Sequence, residues 1–353
     1  MTAKADLLPT LRGKHVGTGL VQRTLVRWTA ERLLWTVLAI SVICVAIVPL
    51  AYVFDAAFFR ETRIGLSGER GVAAVLEVYL SSEYLGYLRN TLILATVVTL
   101  LAVVLGVTMA LLVARADIPF KSGFDLLIIM PLFMSPFTGM MAWIALGSEK
   151  SGFINVFIRS IFEPFFGGPG AIINIWSYAG IVWVMVIFFC PFAYLFTVGN
   201  LRGMDSSLEE AARTTGATSF QTLMRVTLPL STPAILGSGL LIFILAAEMY
   251  TIPGMIGSNI GFTTLPWKIY RDINGIPVRL AHAAASGTML LWVTCFGIWL
   301  QRRVTRQTER FATVTVKVFR ARLMPLGPWK VLAIAFVGGY VLVADLLPFG
   351  GLV

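Results

Sequence analysis

The chain has 353 residues, of which 57% are hydrophobic and 13% charged, and it carries a net charge of +10. That balance excludes a soluble globular domain and predicts an integral membrane protein. The positive charge lies between apolar runs, not among aromatics on a solvent face, so it reads as a positive-inside bias and not as a nucleic-acid surface.

In chain order, residues 1–32 are polar and basic, with Lys4, Arg12, Lys14, Arg23, Arg27 and Arg32, and no small-residue cleavage site follows. They predict a cytoplasmic N-terminal segment and not a signal peptide. Leu33 to Phe54 is apolar and long enough to cross a bilayer. Residues 55–89 are mixed, with Tyr79, Tyr84 and Tyr87 near their end, and are placed outside. Further spans are predicted at Thr91 to Ala114, Phe124 to Gly147, Trp176 to Gly199, Ala234 to Gly257 and His282 to Gln301. The third is interrupted by Pro131 and Pro136, tolerated within a span where neighbours satisfy the freed carbonyls. Lys and Arg concentrate in the segments this count places inside, which supports the orientation. Cys44, Cys190 and Cys295 fall within spans and read as small packing residues.

Trp329 to Phe349 forms a seventh apolar run whose opening, Trp329 to Ile334, echoes Trp35 to Ile40. The predicted fold is thus all-α: a polytopic transmembrane helical bundle with a six-span unit over 33–303, a cytoplasmic linker at 304–327 and a further span at 328–353. The short echo marks a possible start of a second repeat.

The polar segment 200–232, between the fourth and fifth spans, carries the strongest signal. It contains Glu210-Ala211-Ala212, then Gly216, then Val226-Thr227-Leu228-Pro229. Ser206 and Ser207 stand three residues before Glu209 and Glu210, the capping-box spacing that starts a helix. Leu208, Ala211, Ala212 and Thr215 recur at helical spacing and form a small, mildly apolar face. Gly216 provides a stop that tolerates the left-handed cap conformation. A second short helix from about Thr218 is expected to end where Pro229 pushes Leu228 out of the helical region.

This spacing resembles the EAA motif of ABC-importer permeases, with Val226 in place of the usual isoleucine. The resemblance covers the six-span unit. It implies that Glu210, Ala211, Ala212, Gly216, Val226, Leu228 and Pro229 form a coupling helix docking on a separate ATPase. It also implies a periplasmic or extracellular solute-binding protein, a second permease half, a lipid environment and a bacterial inner-membrane location. Some such permeases fuse two six-span halves, and this chain is similar to a first half plus one further span.

Glu248 is an acid within the fifth span, where an unpaired carboxylate costs about 3 kcal/mol on insertion scales, so it faces the bundle interior, as a pathway group or as an interhelical bond. Ile252-Pro253-Gly254 is expected to break or bend that span near its outer end, which makes Pro253 a candidate for lining the path through the carbonyls it frees, weighed against a plain helix terminus. This stretch and Thr264 to Tyr270 look like the iron(III), polyamine and thiamine branch of the family. Phe133 and Met134 are further candidates for the path, weighed against ordinary packing. The two histidines, His15 and His282, lack metal-ligand spacing and read as incidental or interfacial, and neither metal nor cofactor is expected. The sequence contains no G-x-x-x-x-G-K-[ST] phosphate loop, so ATP hydrolysis is assigned to a partner and the chain is not read as an enzyme. An ion-coupled secondary transporter, with Glu248 as its coupling group, and an inactive remnant of a fused permease are the alternative readings.

Overall fold

A computed structural model of the protein describes residues 18–62, 65–166, 173–204, 207–308 and 324–352. The chain divides into two compact units, Met1–Asp55 and Ala56–Val353. The described residues of the first belong to helix α1, Thr18–Ala56. Its stretch Arg32–Ala56 is apolar over 25 residues, with a mean hydropathy of 2.7. At 1.5 Å per residue that run exceeds the ~30 Å of a hydrocarbon core.

The second unit opens on a feature absent from the sequence reading, an antiparallel hairpin of β1, Phe59–Thr62, and β2, Gly65–Arg70. Helix α2, Ala73–Leu80, leads into α3, Ser82–Arg115. The Ser81 side chain accepts from Tyr84 N, so α3 starts nine residues before the predicted span, because a cap outweighs the polar residues that follow it.

The prolines act in two different ways. The third span is interrupted where its prolines predict: α4, Lys121–Ile129, runs into a 3-10 turn at Met130–Phe133, and α5, Pro136–Gly147, departs at 99°. With neither Pro131 nor Pro136 able to donate an N–H, no i→i−4 ladder survives across the junction. An amphipathic helix α6, Phe153–Phe166, precedes α7, Tyr178–Gly203. Conversely, Pro229 does not end a helix. After α8, Ser207–Thr214, and the single turn α9, Ser219–Thr222, the chain widens into a π turn at Leu223–Thr227 and continues as α10, Leu228–Glu248. Leu228 N donates to Leu223 O, five residues back, and Leu228 keeps helical φ and ψ. The widened turn relieves the clash between the proline ring and the carbonyl four residues earlier.

Helices α11, Thr251–Ser258, α12, Leu265–Asn274, and α13, Leu280–Thr308, follow. Beyond residue 323, α14, Trp329–Val341, passes through a second π turn at Leu342–Leu346 into α15, Leu347–Leu352. Again a π turn precedes a Leu-Pro pair, Leu347-Pro348. Six helices among the described residues are long and apolar enough to cross a membrane, or seven with the bent α4–α5 pair.

Helix α7 is the axis of this unit. On one side Met185, Phe189 and Ala193 share a core with Leu94, Ala102, Trp143 and Ile242. On the other, Tyr194, Val198 and Leu201 pack with Met109 and Val113 of α3 and with Ala333 and Val337 of α14. Gly106 lets α3 and α7 touch: a Cβ there would lie 2.7 Å from Cys190 O. Small residues at such crossings supply the packing that drives helix association in lipid. Of the cysteines, Cys190 is buried in this contact, whereas Cys44 and Cys295 are exposed.

Candidate functional site

The motif segment sits at the end of the bundle where α3 stops. Ser207 begins α8, and Ser206, expected as a cap, lies outside the described residues. Helix α8 ends as its sequence dictates: Gly216 takes φ 87°, and Ala217 N returns to Ala212 O at 3.2 Å. The next helix is opened by a capping box in which Thr218 Oγ1 accepts from Gln221 N and Gln221 Oε1 accepts from Thr218 N.

Glu210, Ala211 and Gly216 are exposed, Ala212, Val226 and Leu228 are half-buried, and Pro229 is exposed. The motif thus presents one accessible edge. The residue that sequence reasoning missed is Glu209, which turns inward. Glu209 Oε1 lies 3.0 Å from Arg115 Nη2 and accepts from Thr227 Oγ1 at 3.0 Å. The Arg115 contact is an ion pair whose N–H is not aligned for a hydrogen bond, and Arg115 Nε has no hydrogen-bond partner among the described residues. Arg213, Ser219 and Thr222 help to line a small cavity there. A faint signal was available in sequence: two adjacent acids on an amphipathic helix point in different directions.

Nearby, Asp125 on α4 accepts from Tyr194 and pairs with Arg202 at 2.6 Å, tying α4 to α7. Asp345 is buried, with neither carboxylate oxygen hydrogen-bonded among the described residues.

The pathway candidates separate. Glu248 is exposed at the last residue of α10 and accepts from Thr294 Oγ1 of α13 at 3.0 Å. The helix breaks immediately after it, at Met249 with ψ 120°. Pro253 is the reason: its nitrogen has no hydrogen for the Met249 carbonyl, so the break falls four residues ahead of the proline. Pro253 itself is buried within α11. Met134 lines an apolar cleft with Gly139, Trp143, Phe188 and Ile252, while Phe133 is exposed and does not line it. Tyr250 and Trp267 stack on the two sides of Tyr270, with ring centroids 5.4 and 5.1 Å away.

At the opposite end, His282 corrects the reading of it as incidental. It is buried, with Nδ1 2.8 Å from Glu61 Oε2 of β1 and Nε2 3.0 Å from Glu77 Oε2 of α2. Arg279 Nη2 contacts Glu77 Oε1 at 3.1 Å. The hydrogen bond from His282, ahead of the Arg279 guanidinium, holds the Glu77 carboxyl below the ordinary glutamate value against opposing desolvation.

A six- to seven-span all-helical membrane bundle with this segment between two spans defines a class. Residues 102–310 match the family described as binding-protein-dependent transport system inner membrane component, and the chain belongs to that family. It is 26% identical over 257 residues to a putative ferric transport system permease protein of Haemophilus influenzae, a match covering 71% of this chain and 38% of that protein. The chain therefore spans little more than a third of that relative. It is 28% identical over 245 residues to a putative 2-aminoethylphosphonate transport system permease protein of Salmonella typhimurium, covering 67% of this chain and 80% of the relative. A crystal structure of a bacterial ABC transporter that imports alginate has a similar fold, with a TM-score of 0.63, 16% identity, and coverage of 82% of this chain and 100% of that one.

Proposed function

We propose that this chain forms part of the solute pathway of an ATP-driven importer and docks an ABC ATPase through α8 and the turn after it. The observation that carries the reading is the exposed edge of Glu210, Ala211 and Gly216, held on a capped helix against the foot of a membrane span. A knob of small residues beside one acid suits a close-fitting protein cleft better than a lipid surface. Val226, Leu228 and Pro229 set the base of that knob. ATP hydrolysis belongs to the partner. In this reading α8 and the N terminus face the cytoplasm, and the His282 end meets a solute-binding protein. A second permease half completes the path.

Glu248, at the break between α10 and α11, is the group proposed to meet the solute, with the cleft at Met134 beside Ile252 and Pro253. Phe133, exposed, is proposed for the pathway only where a second half covers it. A carboxylate beside backbone freed from the helix favours a cationic or metal-bearing solute. The ferric relative supports iron(III) as the substrate class. A membrane preparation carrying Glu210→Lys or Gly216→Pro tests the docking role: either variant is expected to insert normally and lose the co-purifying ATPase. Retention of the ATPase by both variants would remove the basis for this reading.

A further inference from the structure

Glu209 of α8 contacts two further elements through its side chain. Thr227 belongs to the π turn at the foot of α10, and Arg115 closes α3. Helix α8 packs on α9 and on that π turn, and the reach to α3 is made by the two charged side chains. The Arg115 and Glu209 side chains are 7% and 8% exposed. The backbone of the same corner is also pinned: Met324 N donates to Arg115 O at 2.8 Å, and Asp117 N donates to Met324 O at 3.1 Å, so the approach to α14 is anchored there.

A buried ion pair is a poor way to gain stability, because desolvation offsets its attraction. Its distinctive property is intolerance of displacement. If α8 slid away from α3, two charges would be left buried and apart, and the Thr227 hydroxyl would lose its acceptor. The feet of α3 and α10 must then follow α8. A small cavity lined by Arg213, Ser219 and Thr222 lies beside the pair.

We propose that Arg115, Glu209 and Thr227 form the joint through which movement of α8 reaches the membrane helices. They are positioning residues, distinct from Glu210, which faces the ATPase. The proposal rests on the reading of α8 as the docking helix.

The test uses the full chain assembled with its ATPase and second permease half. Cys44, Cys190 and Cys295 are replaced by Ala, and Tyr270→Cys is introduced as a reporter at the far end. Its labelling by a membrane-impermeant maleimide is timed with and without ATP and vanadate. The parent is expected to show a severalfold ATP-dependent change in rate. Glu209→Gln and Arg115→Ala are expected to keep the ATPase bound and hydrolysing yet lose that change, while Arg115→Lys and Thr227→Ser keep most of it. Thr227→Val, which spares the ion pair, covers the case in which the charge variants fail to fold, and a reduced change at an unaltered melting temperature is expected. An unaltered ATP response in Glu209→Gln, or in Thr227→Val should the former not fold, overturns the joint. The docking reading fails separately if Glu210→Lys leaves the ATPase bound.

Discussion

Glu209 and Glu210 are neighbours in the chain and opposites in environment: one carboxylate is buried against Arg115 and Thr227, the other is exposed. Their substitutions should therefore separate. Glu209→Ala leaves Arg115 buried without its counter-charge and is expected to cost roughly 3–5 kcal/mol. Glu210→Ala, on the surface, is expected to stay within about 0.5 kcal/mol. Thermal unfolding of the two variants in detergent checks this, and equal losses would contradict the assignment of which acid points inward.

Gly254 lies against the face of Trp267, where an added Cβ would come within 2.1 Å of Trp267 Cε3. The indole stacks on Tyr270, which stacks in turn with Tyr250. Gly254→Ala is expected to destabilise the α11–α12 contact by about 1–3 kcal/mol through overpacking. Trypsin cleavage after Lys268 or Arg271 should accelerate in that variant, and an unchanged cleavage rate would show that the stack yields freely.

Asp345 is buried in the π turn before α15, and among the described residues neither oxygen has a hydrogen bond. An unpartnered polar group there costs about 1–3 kcal/mol. Asp345→Leu should raise the melting temperature. A fall would mean that the carboxyl has a partner in the assembled transporter.

Glu77 links α2 to His282 and Arg279 and has a lowered pKa. A depressed carboxyl contributes stability above its unfolded value, near 4.5, and loses it as pH falls through the lower folded value. The melting-temperature difference between the native protein and Glu77→Gln should be constant from pH 7 to about 5 and shrink below about 4.5. Half of the Glu77 side chain is exposed, so the whole effect is small. A difference that grows on acidification would contradict the sign.

Much of this was legible from apolar run length, because a bilayer imposes one length on every spanning helix. The turn chemistry of the motif segment was legible too: Gly216 does take the left-handed conformation. Pro229 was misread because its effect depends on the turn before it, and nothing in local propensity announces a π turn. The 99° bend at Met130–Pro136 was visible only as two prolines, whose consequence depends on what neighbouring helices can satisfy. Arg115–Glu209 and His282–Glu61 pair residues 94 and 221 positions apart and require the assembled bundle, which no periodicity encodes.

In the proposed reading α8 meets an ATPase. Its most direct measurement is cross-linking in native membranes with a short bis-maleimide, starting from chains that lack the three native cysteines. Glu210→Cys should give an ATP-sensitive cross-link to a single-cysteine ATPase, and Tyr270→Cys, at the opposite end of the bundle, should give none. A cross-link from position 270, or none from position 210 at any nucleotide state, would contradict the account.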